Sequence, residues 1–479
     1  MNEQPISSND ILNSFAAYDK TAVDSELLCA LKNSRHKIVV LDDDPTGVQT
    51  VHGVHVYTDW SIASIRQGFE EENSIFFILT NSRGFTEDET IRVHQEIASN
   101  VVTVAKETDS KFILISRGDS TLRGHYPLET EVLKEKIEEL TGEKIDGEVI
   151  LPFFLEGGRY TINNVHYVRD NDMLIPAGKT EFAADRTFGY SSSHLGEWVE
   201  EKSKGEFTKD SVTYISLDEL RACDYTGIYN KLTKVNDYNK IVVNSVDYYD
   251  VKVFVTALMK AILAGKNFLF RSAAALTKVI GGISDKPLLT RDELVNTKNK
   301  NGGIIMVGSH VKKTTQQLEN LKNLDNIEFI EFNQHLVLDD KAFEAEIKRV
   351  IKEAEENISE GRTVAVYTRR ERFDLNTGNK EDELRLSIKI SDAVTSIISD
   401  LSVRPNFIIA KGGITSSDIG TKGLKVKRAL VLGQILHGIP VWLTGDESKF
   451  PGMPYVIFPG NVGTPTSLSE AVEIMSPNK

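Results

Sequence analysis

Cysteine is nearly absent: Cys29 and Cys223 are the only two among 479 residues, too few for a disulfide framework and without the paired spacing of a zinc site. A reducing compartment is the expectation, with the cytoplasm as its default. No apolar run approaches the ~20 residues that span a bilayer. Residues 1–33 have neither the basic start nor the apolar stretch of a secretory leader, so a soluble chain without membrane contact is expected. Positive charge is also scarce, with 56 Lys and Arg against 70 Asp and Glu and a formal net charge of -14. Nucleic acid is thereby excluded as the main partner, because a polyanion needs a clustered basic face. Small anions held by a few local arginines are not excluded. Both common nucleotide fingerprints are missing too. No Gly-x-Gly-x-x-Gly occurs, and the only Gly-Lys-Thr, at residues 178–180, has Met173 where a Walker A loop needs its first glycine.

What is present is a globular composition, 40% hydrophobic and 26% charged. At about 150 residues per domain, two large domains fit this length best. Short β-branched and aromatic runs alternate with longer helical patterns, the rhythm of a mostly parallel sheet covered on both faces. Strands are expected at 37–41, 74–80, 111–115, 148–154, 212–215, 240–244 and 267–270 in the first half. In the second half they are expected at 303–307, 327–332, 363–367, 406–410, 440–443 and 455–458. Between the series, residues 281–303 are rich in Gly, Asp, Lys and Asn and read as a linker. The expectation is an α/β protein of two domains, 1–285 and 300–479, each a mostly parallel sheet flanked by helices. Monomer and homodimer both remain open.

In open α/β sheets ligands sit beyond the carboxyl ends of strands. There the first half carries Asp42-Asp43-Asp44-Pro45-Thr46-Gly47, Asn81-Ser82-Arg83-Gly84 and Arg117-Gly118-Asp119-Ser120-Thr121-Leu122-Arg123-Gly124. Taken singly, each is equally a turn or a helix cap. Three such motifs at three strand ends favour one pocket. Its carboxylates, arginines and hydroxyls suit a small polyhydroxylated acid, since arginine's planar fork holds a carboxylate and Asp or Asn pairs with sugar hydroxyls. Asp43, Arg83, Arg117, Ser120 and Arg123 are the candidate substrate contacts. His52, His55, His125 and His166 lack metal-ligand spacing and are read as structural.

The second half offers glycines and hydroxyls instead. Lys411-Gly412-Gly413-Ile414-Thr415-Ser416 follows an apolar run, and an anion can rest on bare backbone amides at such a turn. Thr415 to Ser417 can cap the next helix, expected at 426–437. Gly308-Ser309 and Pro459-Gly460-Asn461-Val462-Gly463 would complete the cradle, although each glycine loop alone is more often a tight turn.

Taken in order, Asp43-Asp44-Pro45-Thr46-Gly47, Asn81-Ser82-Arg83, Asp119-Ser120-Thr121-Leu122-Arg123-Gly124, Gly158-Arg159-Tyr160-Thr161, Val307-Gly308-Ser309 with Thr314-Thr315, Lys411-Gly412-Gly413-Ile414-Thr415 and Pro459-Gly460-Asn461-Val462-Gly463 resemble the motifs of the four-carbon acid sugar kinase family, over nearly the whole chain. The resemblance implies an amino-terminal acid-sugar domain, a carboxy-terminal nucleotide domain and ATP-dependent phosphorylation of a tetronate-type acid at its terminal hydroxyl. It implies ATP contacts at Ser309, Gly412, Gly413, Ile414, Thr415 and Gly460, with Gly463 in the same loop. Arg117 and Gly118 depart from the Lys and aliphatic residue of many members, and Asn163-Asn164 replaces a usual glycine. Erythronate, threonate, their 3-oxo forms and a branched relative such as an oxo-isoapionate all stay open.

Such a kinase needs a carboxylate at the acceptor hydroxyl and positive charge at the transferring phosphoryl group. Asp44 is the expected base, with Asp119 as the substitute. Arg83 and Arg123 would hold the substrate carboxylate, and Mg²⁺, Lys411 and the glycine-loop amides the phosphates. The domains would close to exclude water. A rival reading takes Asp42-x-Asp44-x-Thr46 as the start of a haloacid-dehalogenase-type phosphatase with Asp42 as nucleophile, which leaves the glycine-rich half without a role. A non-catalytic sugar-acid binding protein is a third.

Overall fold

The computed structural model of the chain describes residues 4–371, 373, 380–460 and 462–476. The fold is α/β and divides into two units, Met1–Val51 with Asp59–Asp285, and His52–Thr58 with Lys286–Lys479. No helix among the described residues is long and apolar enough to cross a membrane.

In the first unit the strands run in the order Thr213–Ile215, Asn239–Val243, Gly147–Leu151, Phe268–Ser272, Phe112–Arg117, Lys37–Asp42, Ile75–Leu79, every neighbouring pair parallel. Continuous apolar runs suit this arrangement, since a parallel sheet is covered on both faces. All five residues of Ile75–Leu79 are buried, and each such side chain removed from water contributes about 1.5–3 kcal/mol. From Lys37–Asp42 the chain goes to Ile75–Leu79 on one side, and from Phe112–Arg117 it goes to Gly147–Leu151 on the other. The crevice between these two strand ends is therefore the topological switch point, where such sheets bind ligands.

The helix after Arg83 starts at a fixed place. Thr86 Oγ1 accepts from Glu89 N at 3.3 Å and Glu89 Oε2 accepts from Thr86 N at 2.9 Å, a capping box that opens Glu87–Glu107. A second, antiparallel sheet joins Ile6–Ser7, Met173–Pro176, Val165–Asp170 and Arg159–Ile162. None of these short strands is among the runs expected from the sequence.

The second unit has five parallel strands, Pro454–Phe458, Ile408–Lys411, Ile304–Val307, Thr363–Thr368 and Ile327–Phe332. Antiparallel strands Ile439–Thr444, Arg428–Leu436 and His55–Tyr57 extend it beyond Pro454–Phe458. The helix expected at 426–437 is thus a strand. Buried and half-buried positions alternate along Arg428–Leu436, with Ala429, Val431 and Ile435 inward. Gly433 at φ 137° sits in a register shift, and Gly438 at φ 77° turns the chain back. Antiparallel pairing on both sides decides for the strand over the helix. The stretch read as a linker holds a short helix, Arg291–Leu294.

Candidate functional site

Asp42 and Arg117 are register partners on the two strands that flank the switch point. The Arg117 guanidinium lies 3.3 Å from Asp42 and 3.7 Å from Asp43. Arg83 reaches in from the next strand end and grips Asp43 with both arms, Nε to Oδ2 at 3.1 Å and Nη2 to Oδ1 at 2.9 Å. Its Nη2 is also 3.3 Å from Asp44 Oδ2. The three strand-end motifs therefore converge, but Arg83 and Arg117 are already paired with carboxylates of this chain.

Exposure sorts the aspartates. Asp42 and Asp43 side chains are 2% and 3% exposed, whereas Asp44 and Asp119 are 19% and 13% exposed. Asp42 lies where a Cβ on Gly47 would stand, 1.8 Å from Oδ2, so the glycine of this motif makes room for that carboxyl. Burial pushes Asp42 up to about 8 despite Arg117. A largely protonated, enclosed carboxyl is a poor nucleophile, which counts against the phosphatase reading. Burial also opposes ionisation of Asp44, but Arg83 and two hydrogen bonds from Thr46 outweigh it and hold the group below its ordinary range. Those bonds run to Oδ1 from Thr46 N at 2.8 Å and Oγ1 at 2.5 Å. For Asp119, burial is overcome by Arg83 and Arg123 and by hydrogen bonds from Arg123 and Thr121, and its carboxyl is held well below the usual range.

The loop bearing Asp119 is fixed from behind. Leu122 adopts φ 69°, a conformation that costs a β-carbon residue about 1–2 kcal/mol. Its side chain is buried in a cluster with Tyr126, Tyr190 and Trp198, which offsets the strain. The Ser120 carbonyl accepts from His166 Nε2 at 2.8 Å, while His166 Nδ1 faces the Thr161 hydroxyl at 3.0 Å. Beneath the loop, Arg271 donates to the Arg123 carbonyl at 2.7 Å and lies 3.4 Å from Glu129. Glu129 also accepts from Ser82 at 2.6 Å and Ser116 at 3.2 Å. Arg123 itself pairs with Asp119 at 2.7 Å and Asp185 at 3.8 Å and stacks on Phe182. Arg159 also lies over the Phe182 ring, 5.6 Å from its centroid. Arg271 directly follows an apolar run and was within reach of the strand-end rule. Phe182 and Asp185 lie off the parallel sheet, and Arg159 and His166 on the small antiparallel one; spacing alone does not reveal their places.

In the second unit, Val307, Lys411 and Phe458 are register partners on three adjacent strands, so the glycine turns after them lie side by side. Gly412 has φ 124°, and a Cβ there would meet Ser309 Cβ at 3.1 Å; one on Gly308 would meet Thr415 Oγ1 at 2.3 Å. Thr314 Oγ1 donates to the Gly460 carbonyl at 3.1 Å and lies 3.3 Å from Ser309 Oγ. Gly413, Ile414 and Thr415 form the first turn of Gly413–Asp418, with Ile414 74% exposed. Gly463 turns at φ 87° against Ser467. Asn461 lies outside the described residues.

Lys411 does not point out of this cradle. Its fully buried amine donates to the carbonyls of Pro459 at 2.5 Å and Gly460 at 3.3 Å, over the Phe458 ring. Burial, with Lys313 nearby, pushes it down to about 7. A different cation reaches the turns. Arg370 Nη2 donates to the Ser309 carbonyl at 2.7 Å and Thr315 Oγ1 at 2.8 Å, and its Nε and Nη1 have no partner among the described residues. Bare glycine backbone beside an unsatisfied guanidinium fits an anionic ligand. Among the described residues, no three His, Cys, Asp or Glu side chains gather as metal ligands. Magnesium commonly rests on substrate phosphates and water with one or two carboxylates.

These two sites sit in a two-unit α/β protein with one sugar-binding and one nucleotide-binding domain. The sugar-binding N-terminal domain family matches residues 38–280, and the nucleotide-binding C-terminal domain family matches residues 304–468. Both are domains of the four-carbon acid sugar kinases, and the chain belongs to that family. Several solved structures are similar, and two of them are matched over nearly their whole length. One is a Haemophilus influenzae protein of the DUF1537 family, 15% identical over 91% of this chain and 99% of its own, with a TM-score of 0.58. The other is a Salmonella typhimurium LT2 protein provisionally named a tRNA synthase, 14% identical over 91% and 98%, with a TM-score of 0.65. At such identities the likeness concerns the fold alone. No curated protein sequence matches the chain.

Proposed function

We propose that this protein is an ATP-dependent kinase that phosphorylates the terminal hydroxyl of a four-carbon acid sugar, 3-oxo-tetronate, erythronate or threonate, or a branched relative such as 3-oxo-isoapionate. The observation that carries this is the pair of ionised, solvent-reaching carboxylates, Asp44 and Asp119, set among arginines at the switch point of a sugar-binding domain. Bound ATP supplies the phosphoryl group.

Asp44 accepts the proton of the acceptor hydroxyl as its oxygen bonds to phosphorus. Its low proton affinity is tolerable because a loose phosphoryl-transfer transition state demands positioning more than proton removal. Thr46 and Arg83 hold the Asp44 oxygens in place, and Asp119 binds a substrate hydroxyl. In the second unit, the amides of Gly413, Ile414 and Thr415, the Ser309 hydroxyl and the Arg370 guanidinium receive the phosphates. Lys411 acts indirectly, pinning the Pro459 and Gly460 carbonyls so that the last turn keeps its shape. Val311 and Ile414, exposed beside the turns, offer apolar surface to a purine. The test is the mass of the product after incubation with ATP, Mg²⁺ and each acid in turn. A gain of one phosphoryl group supports the reading; unchanged acids across the panel would reject it.

A further inference from the structure

Of the five arginines described above in the sugar-binding unit, all but one have a carboxylate within ion-pair distance among the described residues. Arg83 pairs with Asp43 and Asp44, Arg117 with Asp42 and Asp43, Arg123 with Asp119 and Asp185, and Arg271 with Glu129. Arg159 has no ion-pair partner among the described residues. Its Nη1 donates to the Gly157 carbonyl, its Nε is buried with no partner, and its guanidinium lies 5.6 Å from the Phe182 ring centroid. Phe182 also carries Arg123 at 5.1 Å. Asp119, Tyr160 and Tyr190, whose hydroxyl donates to the Thr121 carbonyl at 2.7 Å, also act on Arg159, and the charge of Arg123 opposes its own. Burial lowers its proton affinity, and the charge of Asp119 offsets this only in part.

A buried guanidinium of this kind is completed by an anion. A carboxylate is the matching shape, because two parallel N–H groups meet two oxygens in one plane. We infer that Arg159, beside the Phe182 ring that Arg123 also approaches, is the specificity-determining anchor for a single substrate carboxylate. The acceptor is therefore a monoanionic sugar acid, discriminated from its amide, from the polyol and from phosphorylated acids. This rests on the sugar-acid kinase reading and moves the carboxylate from Arg83, whose charge is already matched by two aspartates, to Arg159.

The test follows ADP release from Mg-ATP by the purified protein with erythronate, threonate, their 3-oxo forms and branched relatives, with the amides of these acids and with the matching polyols. Arg159→Ala is expected to raise KM for the acid about 100-fold, with KM for ATP unchanged and the preference for acid over amide lost. Arg159→Lys keeps stem and charge but not the fork, and is expected to raise KM about 10-fold. That variant decides the matter where the alanine variant does not fold. Wild-type KM and an intact preference for the acid in folded Arg159→Ala or Arg159→Lys would overturn the inference alone. Wild-type protein that turns over none of the acids would overturn the kinase reading, and the inference with it.

Discussion

A Cβ on Gly118 would stand 1.7 Å from Nη1 of Arg271. The guanidinium passes directly over the glycine on its way to the Arg123 carbonyl and Glu129. Gly124, at φ 122°, leaves room for the same side chain, with Nη2 2.8 Å from its Cβ position. The two glycines that bracket Asp119 and Arg123 thus give Arg271 its path, and a bulkier residue at 118 is incompatible with it. Gly118→Ala should destabilise the protein by about 1–3 kcal/mol through overpacking. It should also lower kcat/KM for the acid while sparing KM for ATP. In a double-mutant cycle with Arg271→Ala the two losses should add to less than their sum, since both act through one contact. Thermal unfolding and steady-state kinetics of the four proteins check this; strict additivity would show that Gly118 acts by another route.

Asp42→Asn separates kinase from phosphatase. With the carboxyl pushed up to about 8 by burial, the amide resembles its neutral form at pH 7. Kinase turnover should survive within about tenfold, since the amide oxygen can still accept from Arg117 and from the Asp44 backbone N–H, contacts worth roughly 1 kcal/mol each. A phosphatase using Asp42 as nucleophile would lose all hydrolysis of phosphate esters.

His166 sets an acid limit. Burial pushes the imidazole down from 6.5 to about 4, so between these values the unfolded chain binds a proton that the folded one does not. The stability tied to this group is fully present above pH 6.5 and falls as pH drops toward 4. Melting temperatures measured from pH 7 to pH 4.5 should decline less steeply in His166→Gln than in wild type. Parallel curves would remove His166 as a contributor.

Arg370→Ala should raise KM for ATP about 10- to 100-fold and leave KM for the acid unchanged, as expected for a charge-assisted contact worth ~1.5–3 kcal/mol. Calorimetric titration with ADP checks the same loss without turnover. An unaltered nucleotide affinity would leave Arg370 as a brace for Ser309 and Thr315.

Much of the parallel framework is legible in the sequence because its strands are unbroken apolar runs, as at Lys37–Asp42 and Ile75–Leu79. Arg159–Ile162 and Val165–Asp170 are not legible, since their Arg, His and Asp residues mask a short alternating pattern. At Arg428–Leu436 the apolar residues suit either period, and only pairing on both sides fixes the strand. The strand-end motifs are visible because the switch-point rule needs order alone. The division of labour inside them is not. Which aspartate reaches solvent depends on Gly47 and on arginines far along the chain. Lys411 reads as a phosphate ligand by its place beside glycines, yet its amine is spent on two carbonyls.

The most direct measurement is acid-dependent ADP release from Mg-ATP by the wild-type protein and by Asp44→Asn, across four-carbon and branched acid sugars including the 3-oxo forms. Release that requires one acid, and that falls about 10²- to 10⁴-fold in Asp44→Asn, is the expected result for a base acting on the acceptor hydroxyl. Release independent of every acid, or equal in the two proteins, would contradict it.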